Sequence, residues 1–178
     1  MSERLFAKEE IISLFHALGK LAFDRGEKIE IGVVGGAAIS LIFAYRKATE
    51  DIDAFALNLS QNELIHELAL LVAIDYDLPE RWLNDAAKIY LTRFEKGPLL
   101  IESEGIRVFA PALDQLLAMK LSAWRNEVDK EDARRILEIL PKDKEARWNR
   151  IKSFILPGRG LKAEYAFEDL WSLMNSKH

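Results

Sequence analysis

The chain has 178 residues, 49% of them hydrophobic and 30% charged, and its formal net charge is −4. That length suits one domain, or one core with a helical extension, and the apolar content is sufficient for a buried core. The absence of cysteine excludes a disulfide framework, a thiol nucleophile and a cysteine-ligated zinc site. The small negative charge provides no global attraction to nucleic acid, although it leaves room for a local basic patch.

The sequence shows neither an export signal nor a membrane anchor. Its first residues lack the basic region and the uninterrupted apolar stretch of a secretory signal. No segment reaches the ~20 apolar residues that are needed to cross a bilayer. We therefore expect a cytoplasmic protein with no membrane partner.

The first part of the chain alternates between helical and strand patterns. Apolar spacing and glycine positions define the boundaries of these elements. In chain order they predict a helix over 3–24 that ends at Gly26, a strand over 28–34, a helix over 37–45 that begins at Gly35-Gly36, and a strand over 51–57.

The rest of the chain is mostly helical, apart from one hairpin. Ser60 opens an S-x-x-E capping box, which predicts a helix over 64–74, and Pro79 indicates a further helix start. Residues 98–110 are typical of a β-hairpin that turns near Glu104-Gly105. From Pro111 onward the pattern predicts helices over 111–125, 129–140, 144–156 and 162–175, with LPGRG at 156–160 separating the last two.

Mixed strands followed by a helical tail predict an α+β fold. We expect a small mixed β-sheet with helices packed against it and a C-terminal helical extension. Residues 1–110 would form the core. Residues 111–178 would form a helical region packed on that core as a single compact unit.

Two acidic residues near the start of the second predicted strand are the strongest chemical signal. Asp51 and Asp53 alternate with the apolar residues Ile52 and Ala54, so both carboxylates would lie on one face, roughly 6.6–7 Å apart. Carboxylates placed in this way need a cation or hydrogen-bond donors to offset desolvation. Thr49, just upstream, is a candidate donor.

The glycine pair Gly35-Gly36 has two interpretations. It is either a tight turn with no ligand or a helix N-terminus whose backbone N–H groups bind phosphate. Its spacing fits neither the dinucleotide-binding fingerprint nor the P-loop. A second Asp-x-Asp pair, Asp75 and Asp77, lies at the polar end of a predicted helix and is interpreted as a solvated turn.

Together these segments resemble a known family. The run V-V-G-G-A-A followed by R-x-x-T-x-D-I-D at 46–53 resembles the nucleotidyltransferase signature of a glycine pair, a short helix and Asp-x-Asp. L-L-A-M-K-L-S-A at 116–123, followed by Asp129-x-x-Asp132, is similar to a block of AbiEii-like nucleotidyltransferases of bacterial and archaeal toxin–antitoxin modules. W-L-N-D-A-A-K at 82–88 resembles a segment of a small branch of that superfamily. The likeness covers roughly residues 28–140.

The resemblance implies the nucleotidyltransferase fold and a nucleotide site. Gly35 and Gly36 would approach the triphosphate of an NTP with their backbone amides. Asp51 and Asp53 would hold Mg²⁺, which neutralises charge on the transferring phosphoryl group. Arg46 would contact an anion.

The resemblance also implies roles for helical residues. Lys120 would contact phosphate as a point charge, and Asp129 or Asp132 would complete the cleft wall as a base or as a partner of Lys120. Simpler alternatives exist for each of them. Lys120 and Asp132 also fit ordinary surface charges, and Asp129 has the character of a helix N-cap.

The implied function is transfer of a nucleoside monophosphate from an NTP to a tRNA 3′ end or to a hydroxyl of a partner toxin. A third carboxylate is expected on a later strand, and only Glu102 and Glu104 in the hairpin are candidates. The alternative is therefore a catalytically decayed, antitoxin-like binding module that acts by protein–protein contact.

A third interpretation concerns residues 141–162, which hold seven basic residues and two acidic ones. This segment is either an RNA-facing surface or a solvated helix face. In the first case the phosphate contacts would be Arg147, Arg150, Lys152 and Arg159. Trp148 and Trp171, at helical spacing, are expected to be packing residues.

Overall fold

The computed structural model of the protein describes residues 4–45 and 48–176. These residues fall into two compact units, one within Met1–Lys88 and Lys96–Pro111, the other within Ile89–Glu95 and Ala112–His178. The first unit contains the sheet, and the second is helical. Residues 89–95, predicted to belong to the core region, group with the helices.

The described part of the first unit contains seven strands and three α-helices. The strands are β1 (Phe6–Ala7), β2 (Ile29–Val33), β3 (Ala48–Thr49), β4 (Ile52–Ala56), β5 (Leu83–Asn84), β6 (Lys96–Ser103) and β7 (Ile106–Pro111). The helices are α1 (Lys8–Asp24), α2 (Gly35–Ile42) and α3 (Asn62–Asp75). Short 3-10 helices occupy Leu59–Gln61 and Ala86–Tyr90.

Five of these strands form one mixed sheet in the order β5-β4-β2-β7-β6, with β2 at its centre. β2 is antiparallel to β4 and parallel to β7. β5 runs parallel to β4, and β6 pairs antiparallel with β7 through the predicted hairpin. The remaining strands, β1 and β3, form a two-stranded antiparallel ribbon. The predicted α+β fold with a small mixed sheet is confirmed.

The core of the first unit lies where α1 and α3 pack on the sheet. α1 contacts α3, β6 and β7, whereas α2 and α3 contact β4. Burying apolar side chains in this way is the main favourable contribution to folding. The fully buried residues include Ile11, Leu14, Phe15, Leu18, Ile29, Ile31, Val33 and Leu68.

The predicted end of helix α1 agrees with the structure, whereas its predicted start lies too early in the chain. The amides of Gly26 and Glu27 donate to the carbonyl oxygens of Phe23 and Ala22, and Gly26 has φ +74°. This is a Schellman motif, in which glycine accepts the left-handed conformation after the helix. At the other end, the helix begins at Lys8 because the residues before it pair with β3.

Two predicted helix starts are wrong. The helix predicted over 64–74 is present as α3, but Ser60 does not cap it: Gln61 is the N-cap without a side-chain hydrogen bond, and Asn58 caps the preceding 3-10 helix, its Oδ1 accepting from the Ser60 amide at 3.1 Å and from its hydroxyl at 2.8 Å. The helix predicted at Pro79 is a turn that leads into β5. Trp82 prevents the helix, since its buried indole donates to the Ala69 carbonyl of α3 at 2.8 Å and holds the segment against that helix.

The second unit contains four α-helices among its described residues, which confirms the predicted helical region. They are α4 (Leu113–Ala123), α5 (Glu127–Ile139), α6 (Lys144–Lys152) and α7 (Gly160–Asn175). α4 contacts each of the other three helices. Within residues 4–45 and 48–176, no helix combines the length and the apolar character that crossing a membrane requires.

We expect Gly105→Ala to lower the free energy of unfolding by about 3 kcal/mol, because overpacking against rigid backbone cannot relax. A Cβ at Gly105 would lie 1.9 Å from the carbonyl oxygen of Gly19 in α1. Urea unfolding followed by circular dichroism measures the change. Gly160→Ala is the control, since a Cβ there meets no atom within 4 Å. Equal stability of the two variants would contradict this packing.

Candidate functional site

A glycine turn joins the central strand β2 to α2. Val34 is extended, with φ −131° and ψ −176°, and Gly35 opens the helix with φ +61°. Glycine adopts this left-handed conformation without the steric cost of a Cβ. The side chain of Val34, at the N-cap, has no acceptor atom for the first amides of α2, which have no partner within the helix. The turn therefore presents N–H groups of the kind that bind phosphate oxygens.

Asp53 lies directly against this turn. The amide of Val34 donates to the Asp53 carbonyl at 2.9 Å, which continues the pairing of β2 with β4. A Cβ built on Gly35 would lie 3.1 Å from Asp53 Oδ2, closer than an ordinary van der Waals contact. Any residue other than glycine at position 35 would therefore place its Cβ too close to the half-buried carboxylate of Asp53.

Asp51 and Thr49 precede Asp53 in different surroundings. Asp51 is exposed and lies immediately before β4, while Ile52 between the two aspartates is fully buried. Thr49 is buried on β3, where it pairs with Phe6 of β1. The structure brings Asp53 and Gly35 together and leaves Asp51 at the accessible start of the strand. The predicted anion contact, Arg46, lies outside the described residues.

The hairpin does not supply a third carboxylate to this turn. The Gly105 carbonyl accepts a hydrogen bond from the amide of Ile29, at the beginning of β2. The glycine turn follows the other end of that strand, roughly 20 Å away for six residues of strand. Glu102 also has a partner of its own, because the Arg107 guanidinium donates to it at 2.8 Å and lowers the pKa of its carboxyl. The proposal of Glu102 or Glu104 as a third acidic ligand is therefore wrong.

The two aspartates fit a cation that is shared with a substrate. Across the described ranges, no group of three or more His, Asp or Glu side chains has the geometry of a metal site. Mg²⁺ is usually held by one or two carboxylates together with phosphate oxygens and water. Asp53 against the glycine turn and the exposed Asp51 just before β4 are both carboxylates, the ligand type that this ion takes.

One residue beside this site is absent from the sequence-based set. β5 is parallel to β4 and places Asn84 opposite Asp53. Its two residues are too few to show a strand period, and the preceding proline suggests a helix instead. The sequence feature that could have indicated β5 is Trp82, because a large apolar side chain favours a buried position that anchors the neighbouring chain.

Lys120, Asp129 and Asp132 meet in a buried ionic cluster of the second unit. The ammonium of Lys120 lies 3.2 Å from Asp129 Oδ1 and 2.7 Å from Asp132 Oδ2. The side chain of Lys120 is only 9% exposed and that of Asp132 is 0% exposed. Breaking such a pair leaves an uncompensated buried charge, so the cluster fixes α4 against α5. The phosphate-contact role of Lys120 stays a prediction.

Asp129 also stabilises the start of α5, although it is not the cap. Asn126 is the N-cap and accepts from the Asp129 amide at 3.0 Å, while Asp129 Oδ2 accepts from the Arg125 amide at 3.1 Å. Burial raises the pKa of the Asp129 carboxyl. The charge of Lys120 and the hydrogen bonds from Arg125 outweigh that effect, so the pKa lies below its ordinary value.

Three arginines of the basic segment have internal partners, two of them carboxylates, while Lys152 is exposed. Arg147 donates to Asp114 at 2.5 Å, and Arg150 pairs with Glu95. Arg159 donates to the carbonyl of Ser122. Because these guanidinium groups have internal partners, the structure favours a structural role for them over an RNA-facing surface.

Both tryptophans of the C-terminal helices pack as expected. Trp148 stacks on the buried Phe167 with ring centres 5.3 Å apart. Trp171 contacts the same ring at 5.6 Å. They are packing residues of the second unit.

Comparison with known proteins identifies one family. A sequence model described as a nucleotidyltransferase of unknown function (DUF6036) matches residues 9–154. The match includes the glycine turn, both aspartates, β5 and the ionic cluster. No curated protein and no solved structure matches the chain.

We expect Asp129→Asn to reduce the loss of stability on acidification. The folded carboxyl has a lowered pKa, so its stabilising contribution is present above the unfolded pKa of about 3.9 and disappears as the pH falls through the folded value. At neutral pH the variant should be less stable by about 1–3 kcal/mol. Urea unfolding between pH 7 and about pH 3 measures both effects. Glu127→Gln, which alters an exposed carboxylate of the same helix, should leave the pH profile unchanged.

Proposed function

The chain belongs to the family of nucleotidyltransferases of unknown function, and we propose that it transfers a nucleoside monophosphate from an NTP to an acceptor hydroxyl in a Mg²⁺-dependent reaction in the cytoplasm. One observation carries the proposal. Asp53 Oδ2 lies 3.1 Å from the position of a Cβ on Gly35, so a carboxylate adjoins a turn of phosphate-binding geometry. Two anions at one helix N-terminus repel each other unless a cation lies between them.

In this proposal Asp51 and Asp53 hold the Mg²⁺ ion. The exposed Asp51 would be the ligand open to solvent and to the nucleotide, and the half-buried Asp53 would be the ligand next to the turn. When bound, the ion would neutralise charge on the phosphates of the NTP. The backbone amides of Gly35 and Gly36 bind oxygens of the triphosphate and orient the α-phosphorus toward the acceptor.

The proposed reaction is a displacement at that phosphorus. An oxygen of the acceptor forms a bond to the α-phosphorus, the bond between this phosphorus and the bridging oxygen breaks, and pyrophosphate leaves. The acceptor hydroxyl loses its proton to solvent water in the process. The chain contributes mainly positioning and electrostatic stabilisation, as is general for phosphoryl transfer.

The acceptor and biological context belong to the same proposal. The resemblance of residues 116–132 to AbiEii-like proteins supports a role in a toxin–antitoxin module, with a tRNA 3′ end or a hydroxyl of a partner toxin as the acceptor. Lys120, Asp129 and Asp132 have a structural part in this account. Their charges are largely satisfied by one another, which supports the packing of α4 on α5.

We expect the double variant Asp51→Asn/Asp53→Asn to lose about 100-fold or more of the transfer rate, because the cation loses its ligands. The assay incubates the protein with Mg²⁺ and each NTP labelled at the α-phosphate, with bulk tRNA or a candidate partner protein as acceptor. Chelation of Mg²⁺ should have the same effect.

A matched control exists in the same unit. Asp75→Asn/Asp77→Asn removes two carboxylates of identical spacing at the end of α3, and asparagine tolerates the left-handed backbone of Asp77, with φ +52°. This control should transfer label at the wild-type rate. Equal activity of both double variants would contradict the assigned site, and no transfer by the wild type to any acceptor would contradict the proposed reaction.

A second candidate function is supported by the small number of acidic ligands. The described residues provide one carboxylate against the turn, Asp53, an exposed second one before β4, Asp51, and no cluster of three, which is compatible with an antitoxin-like module that binds a partner without catalysis. Such a module would copurify with the product of an adjacent gene. Removal of both aspartates should then leave binding and neutralisation unchanged.

A further inference from the structure

Asn84 adjoins the acidic pair through the pairing of strands. In the parallel register of β4 and β5, Ile52 is opposite Leu83 and Asp53 is opposite Asn84. Neighbouring strands lie about 4.8 Å apart, and side chains of paired residues project from the same face of the sheet. The side chain of Asn84 therefore stands on the face of Asp53 that adjoins Gly35.

The surroundings of Asn84 fix its amide in one orientation. Trp82, buried and hydrogen-bonded to Ala69, anchors the chain two residues earlier. Asn84 Oδ1 then accepts from the amide of Ala86 at 2.9 Å, which is an Asx turn leading into the 3-10 helix Ala86–Tyr90. The oxygen end of the amide is thus occupied by the backbone, whereas its Nδ2 end is a pure donor.

We propose that Asn84 is the third polar residue of the nucleotide site, and that its Nδ2 donates a hydrogen bond to a phosphate oxygen of the NTP beside Asp53. This inference rests on the proposed function and adds a ligand contact to it. An amide at this position binds phosphate directly. A carboxylate there would repel free phosphate and attract the cation instead.

The simpler alternative is that Asn84 serves the Asx turn alone. Aspartate makes that turn equally well, because it needs only the side-chain oxygen. Asn84→Asp therefore preserves the local structure, removes the donor and adds one negative charge. A residue beside the cation site and a residue with only a turn-forming role respond differently to this substitution.

We expect Asn84→Asp to bind Mn²⁺, used as a probe for Mg²⁺, about tenfold more tightly than the wild type. Even at the dielectric constant of water, one added charge about 6 Å from a divalent cation changes affinity by this amount. Electron paramagnetic resonance of free Mn²⁺ measures the affinity without any nucleotide. Circular dichroism checks that each variant is folded.

Asn58→Asp is the matched control. Asn58 makes the same kind of Asx turn, to the Ser60 amide, and lies beyond the opposite end of β4, roughly 16 Å from Asp53 along the chain. At that distance a charge is largely screened at physiological salt. The control should bind Mn²⁺ with the wild-type affinity.

Asn84→Ser supplies an independent measurement. Serine keeps a weaker form of the turn and loses the Nδ2 donor. It should leave Mn²⁺ affinity unchanged and weaken binding of a non-hydrolysable NTP analogue about 3–10-fold. Unchanged analogue binding would overturn the phosphate contact.

The outcomes separate this inference from the proposed function. The placement of Asn84 beside the cation site is overturned if Asn84→Asp binds Mn²⁺ with the wild-type affinity. It is also overturned if Asn58→Asp gains as much Mn²⁺ affinity as Asn84→Asp does. If the wild type binds Mn²⁺ and the analogue but transfers no label, the proposed reaction fails while the contact stands. If the wild type binds neither Mn²⁺ nor the analogue, alone or together, both are overturned.

Discussion

The approach of the Asp53 carboxylate to the backbone of Gly35 is the contact on which the candidate site depends. It requires an antiparallel pairing of β2 and β4 that continues to Val34, and a residue without a Cβ at the first position of α2. A carboxylate at a helix N-terminus is itself favoured by the helix dipole. A phosphate bound at the same helix N-terminus would lie close to this carboxylate, and two anions so placed repel each other without a cation. The geometry thus links the glycine and the acid, and the proposed cation and triphosphate follow from that arrangement.

The sheet positions this contact through strands that are distant in sequence. β2 lies at the centre, with β4 on one side and β7 on the other, and it ends at the glycine turn. β5 contributes only two residues, yet the buried indole of Trp82 anchors it and fixes its register beside β4. A short edge strand held by one large side chain is sufficient to bring an amide next to Asp53. The opposite end of the sheet, with Glu102 and Arg107, forms exposed ion pairs and has no part in the site.

The second unit holds its buried charges in an internal network. Lys120 lies between two buried carboxylates, and Arg125 adds a further positive charge at Asp129. Arg147 and Arg150 likewise pair with acidic residues of the same unit. Buried charges need partners, so the helices of this unit satisfy one another in a network. Asp51, by contrast, is exposed, so its charge needs no such network.

The fold class, the hairpin, the C-terminal helices, and the glycine turn followed by an Asp-x-Asp strand were all predictable from the sequence, because each depends on local periodicity or on the conformational freedom of glycine. The glycine pair and the Asp-x-Asp motif together also predicted that Asp53 would lie near Gly35. Three features depended on tertiary structure. Trp82 replaced a helix start with a strand because a buried indole requires a specific site on α3, Asn84 came beside Asp53 through pairing between strands, and the Lys120 cluster was buried because α4 and α5 pack together. In each case the residue or helix that makes the contact lies on another element of the fold. The spacing of residues along the sequence carries no information about the distance between such elements.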